Sequence, residues 1–242
     1  MRAALAWAFC AATAVQAMEF RIAGNELHLS GRVAGDELGM IKDVELERGR
    51  AIDTVVFRNS PGGDVWTGHR VGERIRDNGW RTVLAGACRS ACTIMFLGGR
   101  SRHFAQVTRA EGMFLGFHGT WSGGFLESNQ PAFHGRRELR DWIIARTGGK
   151  ADPKLLDRFI QNERPTTLLL AFDPRQLKRD DGISMLFCEG DEKRGAKPFE
   201  VCEKIAGHDA FSMGFVTSAE RIRVIPPSQL PAPFRPKGMP SQ

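Results

Sequence analysis

The 242-residue chain has few long apolar runs, no block of charge of one sign and few cysteines, and each shortage narrows its function. Beyond the first seventeen residues no stretch reaches the roughly 20 apolar residues needed to span a bilayer. Basic residues exceed acidic ones, for a formal charge of +6, but the two signs are interspersed, so no nucleic-acid footprint is indicated. The cysteines lack the regularly spaced partners of a zinc site, and no metal or cofactor is implied. No lysine occurs between Lys42 and Lys150, so a serine–lysine pair in that stretch would need a distant lysine. There is no internal repeat.

What is present begins with Arg2, an apolar run over residues 3–15 and the small-x-small triplet Val15-Gln16-Ala17. That is the pattern of a cleaved secretion signal, with the mature chain starting at Met18 and no membrane span remaining. The chain is expected to be periplasmic or secreted, with residues 18–225 forming one domain and the proline-rich residues 226–242 an extended tail. Loss of the leader removes Cys10 and leaves Cys88, Cys92, Cys188 and Cys202, an even count that favours disulfides in an oxidising compartment. Cys188 with Cys202 closes a charged excursion. Cys88 and Cys92 can pair only if the turn between them brings their Cα atoms within about 7 Å.

Hydrophobic patterning predicts an α/β fold. Residues 20–29 alternate about Gly24-Asn25 and read as a hairpin, with His28 on its solvated face. Residues 36–47 carry Leu38, Ile41 and Val44 at helical spacing. Residues 54–57 are wholly apolar or β-branched, as in a strand buried on both sides of a parallel sheet. After Asp64, an expected N-cap, Val65, Gly68, Gly72 and Ile75 share a helix face whose glycines suggest close packing on the sheet. Residues 81–85 and 113–117 predict strands, 91–97 a buried helix, and 136–146 and 155–160 a packed helix pair. Residues 168–172 join the core, and 211–216 return to it as a short strand or turn.

Three pieces carry chemistry. Pro61-Gly62-Gly63 follows a strand, where glycine amides are open to a ligand or simply make a tight turn. Ser90 begins the apolar helix, as a nucleophile beside the Ala91 amide or as a mere cap. His118 ends a strand at the same sheet edge, as a general base or a satisfied structural histidine, with His103 and His134 as competitors.

Together Ser60-Pro61-Gly62-Gly63, Ala87-Cys88-Arg89-Ser90-Ala91, Gly98-Gly99 with Arg100 or Arg102, and Phe117-His118 resemble the Clp-protease/crotonase superfamily over roughly ninety residues. Within it they resemble the Clp-like and signal-peptide-peptidase-like serine peptidases. The resemblance implies a crotonase-like (Clp protease) ββα spiral with a mostly parallel sheet, and often ring-shaped homo-oligomers. It implies Ser90 as nucleophile, His118 as base, and an oxyanion hole from Gly62 or Gly63 with Ala91. Substrates would be peptides or proteins. The third member stays open between Asp173, which also fits a helix N-cap, Asp180, Asp181, a threonine at 166 or 167, and none. A catalytically inactive peptide-binding or scaffold relative is the alternative function.

Overall fold

A computed structural model describes residues 17–107, 112–119, 136–161, 167–177, 179–189 and 198–236. The expected leader up to residue 16, and His134, lie outside the described residues. The chain opens with the predicted hairpin, β1 (Glu19–Ala23) and β2 (Glu26–Ser30), followed by β3 (Arg32–Val33) and α1 (Glu37–Arg48). Next come β4 (Thr54–Phe57), β5 (Gly62–Gly63), α2 (Val65–Asp77), β6 (Arg81–Leu84), β7 (Ala87–Arg89), α3 (Ala91–Leu97) and β8 (Arg102–Phe104). The later part holds β9 (Phe114–Phe117), α4 (Arg136–Arg146), α5 (Pro153–Ile160), β10 (Leu168–Phe172) and α6 (Pro174–Leu177). It closes with β11 (Met185–Cys188), α7 (Pro198–Val201) and β12 (Glu203–Lys204).

Two five-stranded sheets result. The first runs β1-β2-β4-β6-β8, with β2, β4, β6 and β8 all parallel. Every residue of β4 is buried, as its uninterrupted apolar sequence requires. The second runs β12-β11-β10-β9-β7, with β7 parallel to β9 and the remaining pairs antiparallel. A short parallel pair, β3 with β5, stands beside them. The fold is thus α/β with parallel pairing through the half of the chain that leads to Ser90.

The second sheet is apolar on both sides. Leu115, Phe117, Leu169, Ala171, Met185 and Phe187 enter the main core. Their alternating neighbours Phe114, Leu170, Phe172, Leu186 and Cys188 form a second cluster on the other face, with Phe199 and Cys202 packed against it. Both disulfides formed: Cys88–Cys92 with a Cα separation of 5.3 Å, and Cys188–Cys202 with 4.6 Å.

Asp64 caps α2 as expected, its carboxylate accepting from the Thr67 amide at 2.6 Å. The glycines of α2, however, meet a helix and not the sheet. A Cβ on Gly68 would lie 2.8 Å from the Ala91 carbonyl oxygen, and one on Gly72 2.8 Å from that of Ile94. Helix α3 is buried on every side and needs backbone-close neighbours, which only glycine permits. Arg102 ties the C-terminal end of α3 to the rest. Its buried guanidinium donates to the carbonyls of Gly99, Arg146, Gly214 and Phe215 at 2.8–3.1 Å. Burial lowers its pKa to about 10, which leaves it charged. Residues 211–216 form turns around that clamp, the second of the two forms expected for them.

The segment after residue 216 runs along the first sheet. The amides of Thr217 and Ile222 donate to β8 carbonyls, that of Ile225 to the Glu26 carboxylate, and that of Phe234 to the Phe20 carbonyl on β1. His28 is accordingly buried, contrary to the solvated position that strand alternation suggests. Its Nε2 lies 2.8 Å from the Glu26 carboxylate, and its Nδ1 accepts from Arg58 Nε at 3.1 Å. Burial, reinforced by the Arg58 charge, pushes its pKa down to about 4, so the ring is neutral.

Candidate active site

Ser90 joins β7 to α3 and is the one non-glycine residue at positive φ among the described residues, with φ 56° and ψ −128°. Such a backbone costs of the order of 1–3 kcal/mol and persists only where the surroundings impose it. Here they do. The Ser90 amide donates to the Gly116 carbonyl at 2.9 Å, and its carbonyl accepts from the Thr93 amide at 2.8 Å and the Thr93 hydroxyl at 2.7 Å. The Cys88–Cys92 disulfide closes around the residue from both sides. The Ser90 side chain makes no capping hydrogen bond to α3, so the capping role does not account for it.

The glycine turn is stitched to the same elbow. Ser60 and the residues beside Ser90 exchange backbone bonds, Ser60 N to Ala87 O at 2.8 Å and Arg89 N to Ser60 O at 3.1 Å. Gly62 thereby presses on Ser90. It has φ 86°, and a Cβ there would lie 2.5 Å from the Ser90 Cβ and 3.0 Å from the Ala91 amide nitrogen. Gly63 points elsewhere, because its Cβ would meet the Val33 carbonyl oxygen at 2.0 Å. Of the two glycines, Gly62 is the neighbour of Ser90 and Ala91.

His118 follows β9 directly. Strands β7 and β9 are parallel with Arg89 paired to Gly116, so Ser90 and His118 leave neighbouring strands at the same sheet edge. The half-buried His118 holds its Nδ1 2.6 Å from the Gly119 carbonyl oxygen. A carbonyl only accepts, so Nδ1 carries the proton and Nε2 is the basic nitrogen of the neutral ring. His103 is buried in β8 between the Ser101 hydroxyl and the Glu220 carbonyl, which accounts for both ring nitrogens.

The candidate acids do not join this group. Strand β10 is antiparallel to β9, with Phe172 beside Phe114 and Leu169 beside Phe117. Asp173 therefore lies past the far end of β9, roughly 15 Å from His118 at about 3.3 Å per residue. Its carboxylate caps the Arg175 amide and pairs with Arg175 and Arg221, each at 3.0 Å. Asp181 is held by Arg179 and Lys204, and like Asp180 it belongs to the connection at that far end. At the near end stands Thr167, whose buried hydroxyl has no hydrogen-bond partner, while Thr166 is outside the described residues. A backbone carbonyl at Nδ1, such as that of Gly119, leaves no residue-type signal in the sequence.

Among the described residues no helix is long and apolar enough to cross a membrane, and no group of three metal-ligating side chains comes together. No protein-family model and no curated protein matches the sequence. Solved structures similar to this chain include ClpP1 from Listeria monocytogenes, at 16% identity and TM-score 0.44 over 58% of this chain and 79% of that one. An enoyl-CoA hydratase from Bacillus anthracis is similar at 13% identity and TM-score 0.38, over 62% of this chain and 64% of that one. An enoyl-CoA hydratase from Polaromonas sp. JS666 is similar at 13% identity and TM-score 0.39, over 66% of each chain.

Proposed function

We propose that this chain is an exported, Clp-like serine peptidase that hydrolyses peptide bonds through an acyl-Ser90 intermediate. The observation that carries the reading is Ser90 itself: a strained backbone at a strand-to-helix turn whose hydroxyl makes no capping bond to the helix it starts. His118 Nε2 removes the hydroxyl proton as Oγ attacks the substrate carbonyl, then returns it to the leaving amine. Water enters by the same proton route and releases the acid. The Ala91 and Gly62 amides receive the oxyanion. The Gly62 amide now donates to the Ser60 hydroxyl at 3.2 Å, a long bond that a negatively charged oxygen outcompetes.

The Gly119 carbonyl fixes the tautomer of His118, the orienting part that Asp173, Asp180 and Asp181 are too far away to take. It brings no negative charge to stabilise an imidazolium. Replacing the orienting carboxylate typically costs about 10⁴ in turnover in such triads, so a backbone-oriented His118 predicts slow or narrow hydrolysis. Export agrees with two formed disulfides, which persist in oxidising compartments.

A second reading, an inactive peptide-binding relative, draws on the placement of Asp173, Asp180 and Asp181 at the opposite end of the sheet from His118. Labelling with a neutral fluorophosphonate decides between them. A reactive serine gives a covalent adduct on Ser90 that disappears in Ser90→Ala and slows strongly in His118→Ala. A folded protein that takes no label is the binding relative.

A further inference from the structure

The residue before Ser90 has a defined seat and, among the described residues, no ionic partner. Arg89 ends β7 and pairs in register with Gly116 of β9. Cys88 is fully buried while Arg89 is exposed, so the strand turns Arg89 outward onto the face that carries Phe114 and Leu170. Gly116 leaves room for it there: the Arg89 Cγ lies 3.2 Å from the position a Gly116 Cβ would take. Its guanidinium rests over the Phe114 ring, 5.0 Å from the centroid. Among the described residues no carboxylate lies within ion-pair distance of it, whereas Arg175, Arg179 and Arg221 each have one.

An arginine on an aromatic face keeps its planar fork while losing much of its rotamer freedom, so little ordering remains to be done when a carboxylate arrives. Arg89 is the exposed side chain immediately before Ser90, within reach of the residues that flank a scissile bond held there. We propose that Arg89 selects substrates bearing a carboxylate close to the scissile bond, either an acidic side chain or the C-terminal carboxylate of a short peptide. This rests on the peptidase reading and names the substrate class of that site. The Cys88–Cys92 bridge holds the direction in which Arg89 leaves the strand, and Phe114 holds the end of its side chain.

The test uses three matched peptides: one with glutamate beside the cleavage site and an amidated C-terminus, one with glutamine there and a free C-terminal carboxylate, and one with glutamine and an amide. Cleavage by the purified protein and binding to the Ser90→Ala protein are both measured. The expected result is about tenfold higher kcat/KM, and about tenfold tighter binding, for at least one carboxylate peptide over the neutral one. The glutamate and free-terminus arms identify the source. The preference should shrink as salt rises, vanish in Arg89→Gln and persist partly in Arg89→Lys. Labelling of wild-type Ser90 by the neutral fluorophosphonate reports the reactive serine separately from the peptide preference. Equal handling of all three peptides, or a preference that survives in Arg89→Gln, overturns the assignment while labelling leaves the peptidase reading standing. No labelling and no cleavage defeat that reading, and the binding arm then decides the role of Arg89 alone.

Discussion

In the first sheet β2, β4, β6 and β8 are buried and parallel, and the Glu26–His28–Arg58 network joins β2 to the end of β4. In the second sheet Cys88 leaves from β7 and Cys188 from the end of β11, each into a disulfide. One sheet depends on a histidine that must stay neutral, the other on covalent bonds. Acid and reductant should therefore unfold the molecule from different sides, and the elbow that holds Ser90 belongs to the side sensitive to reductant.

The largest effect expected is complete reduction. Chain-entropy estimates give about 3 kcal/mol for the Cys188–Cys202 loop and about 2 kcal/mol for the much shorter Cys88–Cys92 loop, together about 5 kcal/mol. That is comparable with the whole stability of many domains. Hydrogen exchange should show β9, β10 and β11 losing protection before β2, β4 and β6. Simultaneous loss in both sheets would erase the contrast.

Acid comes next. The folded pKa of His28, about 4, is below the ordinary 6.5, so the unfolded chain binds the extra proton first as pH falls. This contribution is complete above pH 6.5 and is lost as pH drops through 6.5 towards 4, amounting to up to about 3 kcal/mol. Denaturant midpoints measured across that window should fall in the wild type and flatten in His28→Gln. An equally steep fall in His28→Gln would place the acid sensitivity elsewhere.

Splitting the disulfides sharpens the comparison within the second sheet. Cys188→Ala with Cys202→Ala should lower stability by about 3 kcal/mol and leave Ser90 labelling within about twofold. Cys88→Ala with Cys92→Ala should lower it by only about 2 kcal/mol yet slow labelling on the order of 10²-fold, because small displacements of a nucleophile are costly. The smallest effect belongs to Gly116→Ala, where the Arg89 Cγ must yield by a few tenths of an ångström. A stability loss below about 1 kcal/mol is expected there, with weaker discrimination among charged peptides as the more telling readout.

Much of the path to Ser90 was legible locally. The hairpin turn at Gly24-Asn25, the apolar run of β4, the Asp64 cap and the apolar helix after Ser90 each follow from neighbouring residues, and each formed. What was not legible depends on partners far away in the chain. Alternation assigns His28 to solvent, but Ile225, nearly two hundred residues later, arrives beside Glu26 on that face. The helical face of Gly68 and Gly72 announces close packing without saying whether helix or sheet fills it. Asp173 looked available to His118 until the antiparallel register of β9 and β10 put the two at opposite ends, and no periodicity encodes that register.

The C-terminal strand-like segment has one more consequence. Residues 217–222 bond to β8, one border of the first sheet, and Phe234 bonds to β1, the other. Pro226, Pro227, Pro231 and Pro233 lie along that route, and a proline has no N–H to offer outward. A foreign β-strand arriving at either border meets backbone already engaged, followed by residues unable to continue the ladder. Covering part of each border in this way lowers the tendency of the first sheet to pair edge to edge with another strand.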